Sequence, residues 1–539
     1  MIILKFPADK NNWKILRTIP DKKWLPSGQW EIPHQYKKVL ERCGFLLEDT
    51  FVRKPAKSKI VSQILLQSFG KTLMPFQEEG VFFLEENNGR VLIGDEMGLG
   101  KTIQSLAYLQ VHPELRPALV ICPNSLKLNW QAEILAGMGK KTSVHIIESQ
   151  DRDIPPADIY ILNYDKIANQ RQEKFIRGKK RRVAVKNTGW VDYLPELKAK
   201  AIILDEFQRL ANYSADRTKD AIRFLRKYKG ALIGLSGTPI TSRPIQFYSM
   251  LSLLLPKDKL PPWKIFGITY CGGKHNGFGW DFKGSSNEKG LHLLVKEIMI
   301  RRLKKDVLKD LPDKIQQVIP LPLSAADRLK YLRAASDVSA WAKTTDPLKA
   351  SSSQKAAGLL KFQVLQDIAR KGRWASMIEW LKETLDASEK LIVFGRHHVV
   401  IDDLMLRLKK YNPVKIDGRN SLEEREQAVK TFQADESCRL CIGSDAAAEG
   451  LTLTAASGVV FAELFWNPGL IDQASDRAHR IGQKNTVNIY FIIAVKTIEE
   501  ELAEMIDKKR KMIAAVIDGQ KTVESGSLLS ELMKKYRSL

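Results

Sequence analysis

The sequence is poor in cysteine and lacks any long apolar run. It contains 5 cysteines among 539 residues, and their spacing forms no disulfide framework, which indicates a reducing compartment. Cys438 and Cys441 have metal-knuckle spacing, but no second pair matches them, and their apolar neighbours indicate a buried strand. No apolar stretch reaches the length of a transmembrane helix. The first residues, MIILKFPADK, become charged too early for a signal peptide.

Acidic residues are also scarce compared with basic ones. The chain carries 86 Lys and Arg against 62 Asp and Glu, which gives a formal net charge of +24. A basic globular protein favours a polyanionic partner, most often nucleic acid. A basic enzyme without such a partner fits the charge equally well. Because 44% of the residues are hydrophobic, the chain has enough apolar surface to fold into several domains.

Short apolar runs alternate with helical patterns in two separate parts of the chain. In the first part the runs begin near residues 91, 118, 159, 201 and 231, and in the second near residues 390, 440, 458 and 487. Continuous apolar runs between helices are typical of parallel strands that are buried on both faces. The pattern predicts an α/β fold with two parallel-sheet lobes, helical insertions and a small N-terminal module.

The predicted domain boundaries follow these changes of pattern. They are an N-terminal module at 1–54, lobe 1 at 60–250, helical insertions at 251–385, lobe 2 at 386–510 and a C-terminal helical tail at 511–539. A stretch dense in lysine and arginine, residues 171–186, interrupts lobe 1. An insertion that contacts nucleic-acid phosphates and a solvated loop fit this stretch equally well.

The segment Asp95–Thr102, with the sequence DEMGLGKT, lies between an apolar run and a helical pattern. This is the context of a phosphate-binding loop. Gly98 and Gly100 allow main-chain N–H groups to turn toward phosphates, and the N-terminus of the next helix adds partial positive charge. Lys101 is predicted to reach the β- and γ-phosphates of ATP, and Thr102 to bind Mg²⁺. The alternative is a glycine-rich turn with a solvated lysine.

Two adjacent acids, Asp205 and Glu206, end the apolar run that begins at residue 201. At the carboxyl end of a parallel strand, a carboxylate faces the crevice where ligands bind. Asp205 is predicted to hold Mg²⁺, and Glu206 to orient and deprotonate the attacking water. Two surface acids in a loop are the alternative, which the neighbouring motifs disfavour.

Two arginines near the end of the second part, Arg477 and Arg480, lie three residues apart. On a helix this spacing places both side chains on one face. Directed at the γ-phosphate across a cleft, they would act as arginine fingers on the charge of the transition state. A solvated basic face is the ordinary alternative for such a pair.

The motifs occur in a specific order: Gln77, DEMGLGKT, DEFQ at 205–208, LSGTP at 235–239 and QASDRAHRIGQ at 473–483. In this combination residues 70–510 resemble the Swi/Snf-type branch of superfamily-two ATPases. The resemblance implies two RecA-like lobes and ATP-driven tracking along a duplex through backbone contacts, with little base specificity.

The resemblance also implies roles for individual residues. Gln77 should read the adenine edge, and Ser236 should couple the nucleotide to DNA contacts. Gln208 stands where histidine is usual, which puts its contact with the Ser236 region in doubt. The predicted nucleotide-binding set further includes Asp95, Leu99 and Gly450.

Two segments are similar to the annealing-helicase branch in particular, FGWDFKGSSN at 278–287 and FAELFWNPG at 461–469. Members of that branch carry a small Trp-containing HARP module before the motor. Residues 1–54, with Trp13, Trp24 and Trp30, resemble such a module. A small cap packed on lobe 1 is the alternative.

The sequence therefore predicts a DNA-dependent ATPase that uses ATP and Mg²⁺ to translocate on duplex or branched DNA. Annealing or fork remodelling in DNA repair or replication is the expected activity. A remodeller that moves or strips DNA-bound protein complexes is one alternative, and a nucleic-acid-binding protein without ATPase activity is another. We expect a monomer without membrane contact. The compact length favours a cytoplasmic protein of a prokaryote or virus, and a eukaryotic source would imply the nucleus.

Overall fold

The computed structural model describes residues 69–518 except 149–152, 177–178, 241–242, 257, 276–278, 345–351, 388–389 and 449–450, together with four strands before residue 50. The early strands form an antiparallel sheet in the order β2–β3–β1–β4. They are β1 (Ile2–Lys5), β2 (Lys23–Trp24), β3 (Trp30–Ile32) and β4 (Leu46–Asp49). Trp13 and residues 519–539 of the predicted tail lie outside the described residues.

Lobe 1 is built on a parallel sheet with the strand order β15–β5–β12–β11–β6–β8–β7. The strands of this part of the chain are β5 (Arg90–Ile93), β6 (Ala118–Cys122), β7 (Val144–Ile146), β8 (Ile159–Asn163), β9 (Arg171–Ile176), β10 (Lys179–Ala184), β11 (Ala201–Asp205), β12 (Ala231–Leu235), β13 (Lys274–His275), β14 (Trp280–Asp281) and β15 (Met299–Ile300). The basic stretch at 171–186 contains an antiparallel hairpin of β9 and β10, and β13 pairs with β14 in a second hairpin.

Helices connect the strands of lobe 1. They are α1 (Pro75–Glu86), α2 (Lys101–Val111), α3 (Lys127–Met138), α4 (Asp216–Leu225), α5 (Phe247–Leu254), α6 (Trp263–Tyr270), α7 (Glu288–Lys296) and α8 (Lys304–Val307). Short 3₁₀ turns occupy Pro113–Leu115, Asn124–Leu126, Tyr164–Lys166, Trp190–Asp192, Leu194–Leu197, Phe207–Leu210 and Pro244–Gln246.

The central strands of the lobe 1 sheet are almost wholly apolar because both faces of the sheet are covered. Successive residues of one strand enter different cores: Ile202 and Leu204 pack into one core, and Ile203 packs into the other. β6, β8 and β12 are buried at every position. This is the arrangement that the continuous apolar runs predict.

Lobe 2 contains a second parallel sheet, with the order β16–β21–β20–β17–β19–β18. Its strands are β16 (Lys314–Leu321), β17 (Leu391–Phe394), β18 (Val414–Ile416), β19 (Leu440–Gly443), β20 (Gly458–Phe461) and β21 (Val487–Ala494). The helices are α9 (Ala325–Thr344), α10 (Ser352–Gly372), α11 (Trp374–Ala387), α12 (His398–Arg407), α13 (Leu422–Ala434), α14 (Pro468–Ser475) and α15 (Ile498–Ile517), with 3₁₀ turns at Lys409–Tyr411 and Asp445–Ala448. The two-lobe α/β fold is therefore confirmed.

The range 251–385 differs from the predicted helical insertion, because two of its strands join the main sheets. β15 pairs with β5 in lobe 1, and β16 pairs with β21 in lobe 2. β16 is an exposed edge strand that contains glutamines and Pro320. An edge strand needs no continuous apolar run, since one side of it faces solvent. The pattern of apolar runs therefore did not predict β16.

α15 connects the two lobes. Its first half contributes Leu502 and Ile506 to a lobe 2 core, and its last turn contributes Val516 and Ile517 to a lobe 1 core. Just after the helix, the Asp518 carboxylate accepts a hydrogen bond of 2.9 Å from Arg301 Nε in lobe 1. The first residues of the predicted tail therefore belong to a helix that packs on both lobes.

Two negative predictions concern the same described residues. Cys441 in β19 and Cys438 just before it are buried free thiols. In the part of the chain that the structure describes, no group of three or more His, Cys, Asp or Glu side chains could hold a metal ion. Among these residues, no helix combines the length and apolar character that a membrane span requires.

Candidate active site

The loop between β5 and α2 turns at two glycines, as the predicted phosphate-binding loop requires. Gly98 and Gly100 adopt φ angles of 84° and 76°, a left-handed conformation that glycine takes without a steric penalty. Gly100 also abuts the side chain of Gln77, with which an added methyl group would collide. Both glycines are thus required by the turn that precedes Lys101, the first residue of α2.

Lys101 is half-buried inside this loop. Its Nζ atom donates hydrogen bonds to the carbonyl oxygens of Asp95, at 2.9 Å, and Glu96, at 3.2 Å. Burial lowers the pKa of Lys101 to about 8, although the nearby carboxylates of Glu206, Asp95 and Asp205 oppose that change. The cation is therefore held by weak neutral acceptors, which an anionic phosphate can replace at little cost.

The Asp95 carboxylate points to a different partner. It accepts hydrogen bonds from Arg302 Nε at 3.0 Å and Gln104 Nε2 at 2.9 Å, and Arg302 Nη2 lies 2.5 Å from its second oxygen. Asp95 is fully buried. Because Arg302 binds the Asp95 carboxylate, only the main chain of Asp95 remains available to contribute to the predicted nucleotide site. This anchoring of the loop was missed from the sequence, since Arg302 lies about two hundred residues away.

Gln77 and Leu99 contact each other at the base of the loop. Gln77 Nε2 donates to the Leu99 carbonyl at 3.2 Å, and its Oε1 accepts from Met74 N at 2.9 Å. Both residues are buried. The structure thus places Gln77 against the loop, whereas its role in reading adenine stays a prediction. Gly450 lies outside the described residues.

Asp205 and Glu206 stand at the carboxyl end of β11, as predicted from the strand pattern. The Asp205 carboxylate accepts hydrogen bonds from Trp130 Nε1 at 2.8 Å and Glu206 N at 2.9 Å. Burial and the adjacent Glu206 raise the pKa of Asp205, against the opposing effects of Trp130 and Lys101. Two neighbouring half-buried acids form an oxygen-rich site in which a divalent cation would relieve the repulsion.

Gln208 connects Glu206 to the LSGTP segment. Its Nε2 donates to the Glu206 carboxylate, and its Oε1 accepts a hydrogen bond of 2.6 Å from Ser236 Oγ. Ser236 Oγ in turn accepts from Thr238 N at 3.2 Å. The sequence put this contact in doubt because histidine is usual at position 208, yet the glutamine makes it through its amide oxygen while its amide nitrogen binds Glu206.

Arg477 and Arg480 do not lie on a helix, which corrects the prediction of a shared helical face. α14 ends at Ser475, and the chain continues as turns. Tertiary contacts override further helix here: His479 Nε2 lies 2.7 Å from the Pro312 carbonyl, and Gln483 Nε2 donates to Ala456 O at 2.9 Å. The turns keep both arginine side chains directed into the same cleft.

Hydrogen bonds within lobe 2 fix the two guanidinium groups. Arg477 Nη1 donates to Leu451 O at 3.1 Å. Arg480 donates through Nε to Asp476 O and through Nη1 to Thr452 Oγ1, each at 3.0 Å. Burial lowers the pKa of Arg480, but a guanidinium remains charged at any physiological pH. The arginines are thus fixed cations that face lobe 1.

One cleft brings the residues of both lobes together. It has a volume of about 300 Å³ and its walls include Lys101, Thr102, Asp205, Glu206, Arg477 and Arg480. Gln473 also reaches across: its Nε2 lies 3.5 Å from both Glu206 Oε2 and Thr238 Oγ1. Gln473 is the first residue of the QASDRAHRIGQ motif, but the sequence indicated no role for it. Its position one turn before Arg477 is the signal that would have found it.

A buried ion cluster joins the lobes beside this cleft. Asp476 Oδ1 lies 3.0 Å from Lys304 Nζ and 3.1 Å from Lys314 Nζ. Burial acts to raise the pKa of Asp476, but the ammonium groups of Lys314 and Lys304 outweigh it and hold that pKa well below its usual value. Lys304 also donates to His479 O at 2.6 Å, and its main-chain N donates to Glu96 at 2.8 Å. These contacts therefore fix the loop before α2 in lobe 1 relative to the turns that carry Arg477 and Arg480 in lobe 2.

Two family descriptions match the chain: "SNF2-related domain" at residues 76–370 and "Helicase conserved C-terminal domain" at 376–482. Among solved structures, the Sulfolobus solfataricus SWI2/SNF2 ATPase core in complex with dsDNA is similar at 23% identity and a TM-score of 0.39. The likeness covers 84% of this chain and 94% of that one.

Two curated animal proteins are similar over most of the chain. The Xenopus tropicalis SWI/SNF-related matrix-associated actin-dependent regulator of chromatin subfamily A-like protein 1 is 34% identical over 475 residues, which is 86% of this chain and 47% of that protein. The human DNA annealing helicase and endonuclease ZRANB3 is 33% identical over 463 residues, or 83% and 41%.

The chain spans less than half the length of either relative. Animal relatives give no support to the predicted prokaryotic or viral source. The first family description, however, covers more than half of the chain and includes the loop, the acidic pair and the LSGTP segment. The second covers the arginine turn. The chain belongs to the SNF2-related family.

Proposed function

We propose that the protein is a DNA-dependent ATPase that translocates on duplex or branched DNA. The observation that carries this proposal is the cleft in which Lys101, Thr102, Asp205 and Glu206 of lobe 1 face Arg477 and Arg480 of lobe 2. A site divided between two lobes makes the nucleotide part of the contact between them. Binding and hydrolysis therefore change the separation of the lobes, which is the requirement for directed movement.

The residues of the cleft fit ATP with Mg²⁺. The left-handed glycines present main-chain N–H groups, and Lys101 is a half-buried cation whose hydrogen bonds go to neutral carbonyl oxygens. Thr102 and Asp205 offer hydroxyl and carboxylate oxygens, the ligands that Mg²⁺ prefers. They would hold the metal, which would neutralise charge on the β- and γ-phosphates. The cleft volume of about 300 Å³ lies at the lower end of the range for ligand pockets.

For hydrolysis, Glu206 accepts the proton of the attacking water as the water oxygen bonds to the γ-phosphorus. The bond between that phosphorus and the β–γ bridging oxygen breaks at the same time, which releases ADP and inorganic phosphate. Gln208 holds the Glu206 carboxylate and joins it to Ser236. Arg477 and Arg480 stabilise the charge that develops on the γ-phosphoryl oxygens. Gln473, near both Glu206 and Thr238, is placed to sense the same phosphate from lobe 2.

Annealing or fork remodelling, in repair or replication, is the activity we propose for this motor. Supporting it are the two segments similar to the annealing-helicase branch and a relative whose name includes that activity. Residues 1–54 would act as the HARP-like DNA module. The net charge of +24 suits binding to phosphates with little sequence preference. The remodeller alternative has no specific observation in its favour.

The test is ATP hydrolysis and strand reannealing by the same preparation. We expect duplex or forked DNA to stimulate hydrolysis, and we expect ATP to drive closure of a partly melted duplex coated with single-strand-binding protein. Deletion of residues 1–54 should reduce closure while duplex-stimulated hydrolysis is retained. An ATP hydrolysis rate that DNA does not change would refute the proposal of a DNA translocase. Efficient closure without ATP would refute the proposal that the motor drives reannealing.

A further inference from the structure

Lobe 1 carries an exposed aromatic surface away from the ATP cleft. Tyr213, Trp263 and Trp280 are 41%, 36% and 39% exposed, although large aromatic side chains are usually mostly buried. Tyr213 stacks on Trp263 with ring centroids 5.4 Å apart, and Trp280 stacks on Phe282 at 6.0 Å. The edge-to-face contact of Trp263 with Phe282, at 6.2 Å, joins the two stacks. We call these four residues the aromatic platform.

The platform is fixed from below. Trp263 meets the ring of Tyr248 edge-to-face at 4.9 Å, and Tyr248 packs against buried Phe266 at 5.2 Å. Phe282 fits against two glycines, Gly267 and Gly273, where any side chain would collide with its ring. Rigid aromatic groups lose little conformational entropy when a ligand binds. The platform is therefore preorganised rather than a set of loose surface rings.

Positive charge surrounds the platform. Lys264 Nζ lies 4.8 Å from the centroid of the Trp280 ring. Lys274, opposite Asp281 in the hairpin of β13 and β14, is exposed, and so is Lys283. Asp281 lies 4.0 Å from Lys283, so this acid is offset by its own neighbour. Aromatic faces with lysines beside them match a chain of flat bases joined by phosphates.

We propose that the aromatic platform binds the unpaired bases of single-stranded DNA, with Lys264 and Lys274 on the phosphates. Bases in a duplex cannot use such a surface because their faces are already stacked. Unpaired bases can, since every base has a π-face whatever its sequence. Lys264 is a flexible cation that can move from the Trp280 ring to a phosphate when a base arrives. The proposal rests on the proposed function and adds a second DNA contact, for the displaced or unpaired strand.

The test measures affinity without ATP, by anisotropy of a labelled single strand of mixed sequence and of a duplex of equal length. Trp280→Ala and Tyr213→Ala should each weaken single-strand binding by about tenfold or more, with duplex binding unchanged. Trp280→Phe should retain most of the affinity because it keeps a ring, whereas Trp280→Leu should lose it. Leu406→Ala, which truncates a still more exposed apolar side chain on lobe 2, is the control.

Each result decides the question. Undiminished single-strand binding by folded Trp280→Ala and Tyr213→Ala would overturn the proposal. Equal binding by Trp280→Leu and Trp280→Phe would also overturn it, and would indicate an apolar surface for a protein. If the alanine variants melt early, Lys264→Gln on the exposed surface replaces them and should weaken single-strand binding and its salt dependence. Platform-dependent binding by a chain without ATPase activity would refute the translocase and leave this inference standing.

Discussion

The two walls of the cleft differ in what they contribute. The lobe 1 wall carries the groups that we propose bind ATP and activate water: Lys101, Thr102, Asp205 and Glu206. Their shorter hydrogen bonds lie within lobe 1, such as those to the Asp95 carbonyl from Lys101 and from Trp130 to Asp205. The lobe 2 wall contributes the guanidinium groups of Arg477 and Arg480, which its own main chain holds in place. From this comparison we expect that lobe 1 by itself holds a nucleotide, whereas hydrolysis needs both walls.

The largest effect should follow from the loss of the phosphate-binding cation. Lys101→Ala removes the lobe 1 charge that neutralises the β- and γ-phosphates, so ATP binding and hydrolysis should both fall below detection. DNA binding without nucleotide should persist. Titration calorimetry and a phosphate-release assay measure the first two, with exposed Lys229→Ala as the control. Near-normal turnover would show that the loop is not the phosphate site.

The lobe 2 wall should affect turnover rather than binding. Arg480→Ala should lower kcat by about 10³-fold or more, the scale of a lost arginine finger, while ATP affinity changes little. Arg477→Ala should act in the same direction. Arg407→Ala, an exposed arginine of lobe 2 with a single surface ion pair, is the matched control. If both arginine variants lost as much ATP affinity as kcat, the proposed division between a binding wall and a turnover wall would be wrong.

Glu206→Gln should separate binding from chemistry within lobe 1. The amide cannot accept the proton of the attacking water, so kcat should fall by about 10²- to 10⁴-fold. ATP should remain bound and be recovered unhydrolysed by filter binding. Glu196→Gln, on the exposed surface of the same lobe, should behave as the parent protein. Rapid hydrolysis by Glu206→Gln would assign the base to another residue.

The ion cluster between the two walls should contribute to the free energy of unfolding. Asp476→Asn leaves the buried ammonium groups of Lys304 and Lys314 without their shared carboxylate. Breaking a buried ion pair from one side costs about 3–5 kcal/mol, so we expect an earlier unfolding transition in denaturant. Exposed Glu436→Gln is the control. If Asp476→Asn unfolds with the parent protein, the cluster does not hold the lobes together.

The smallest expected effect concerns the link from Glu206 to the LSGTP segment. Gln208→Leu removes two hydrogen bonds, and their loss should reduce DNA-stimulated kcat by about tenfold. Gln208→His, the residue more usual at this position, should restore it. Measuring kcat with and without DNA distinguishes coupling from damage to the base itself. An unchanged DNA-stimulated rate in Gln208→Leu would show that the link is dispensable.

Local sequence patterns predicted a large part of this molecule. The apolar runs identified central strands such as β6, β11 and β20, because strands buried on both faces must be apolar throughout. The context of DEMGLGKT predicted the loop before α2, and the end of β11 placed Asp205 and Glu206 at the sheet edge. These features depend on neighbours in the sequence, so a single chain is enough to find them.

Contacts between distant segments were decided by the tertiary structure alone. β16 joined lobe 2 although its exposed residues follow no apolar run, and Arg302 became the partner of Asp95. The helix that the arginine spacing predicted ended at Ser475, because contacts with Pro312 and Ala456 stabilise turns there.

The sequence by itself determined the chemistry of each wall of the cleft: a phosphate loop and paired acids on one, arginines on the other. Only the tertiary structure decided how these walls meet, through Asp476 between Lys304 and Lys314 and through α15 packed on both lobes. The physical reason is that residue type and local period report burial and main-chain geometry, whereas pairing between remote side chains depends on the three-dimensional path of the chain.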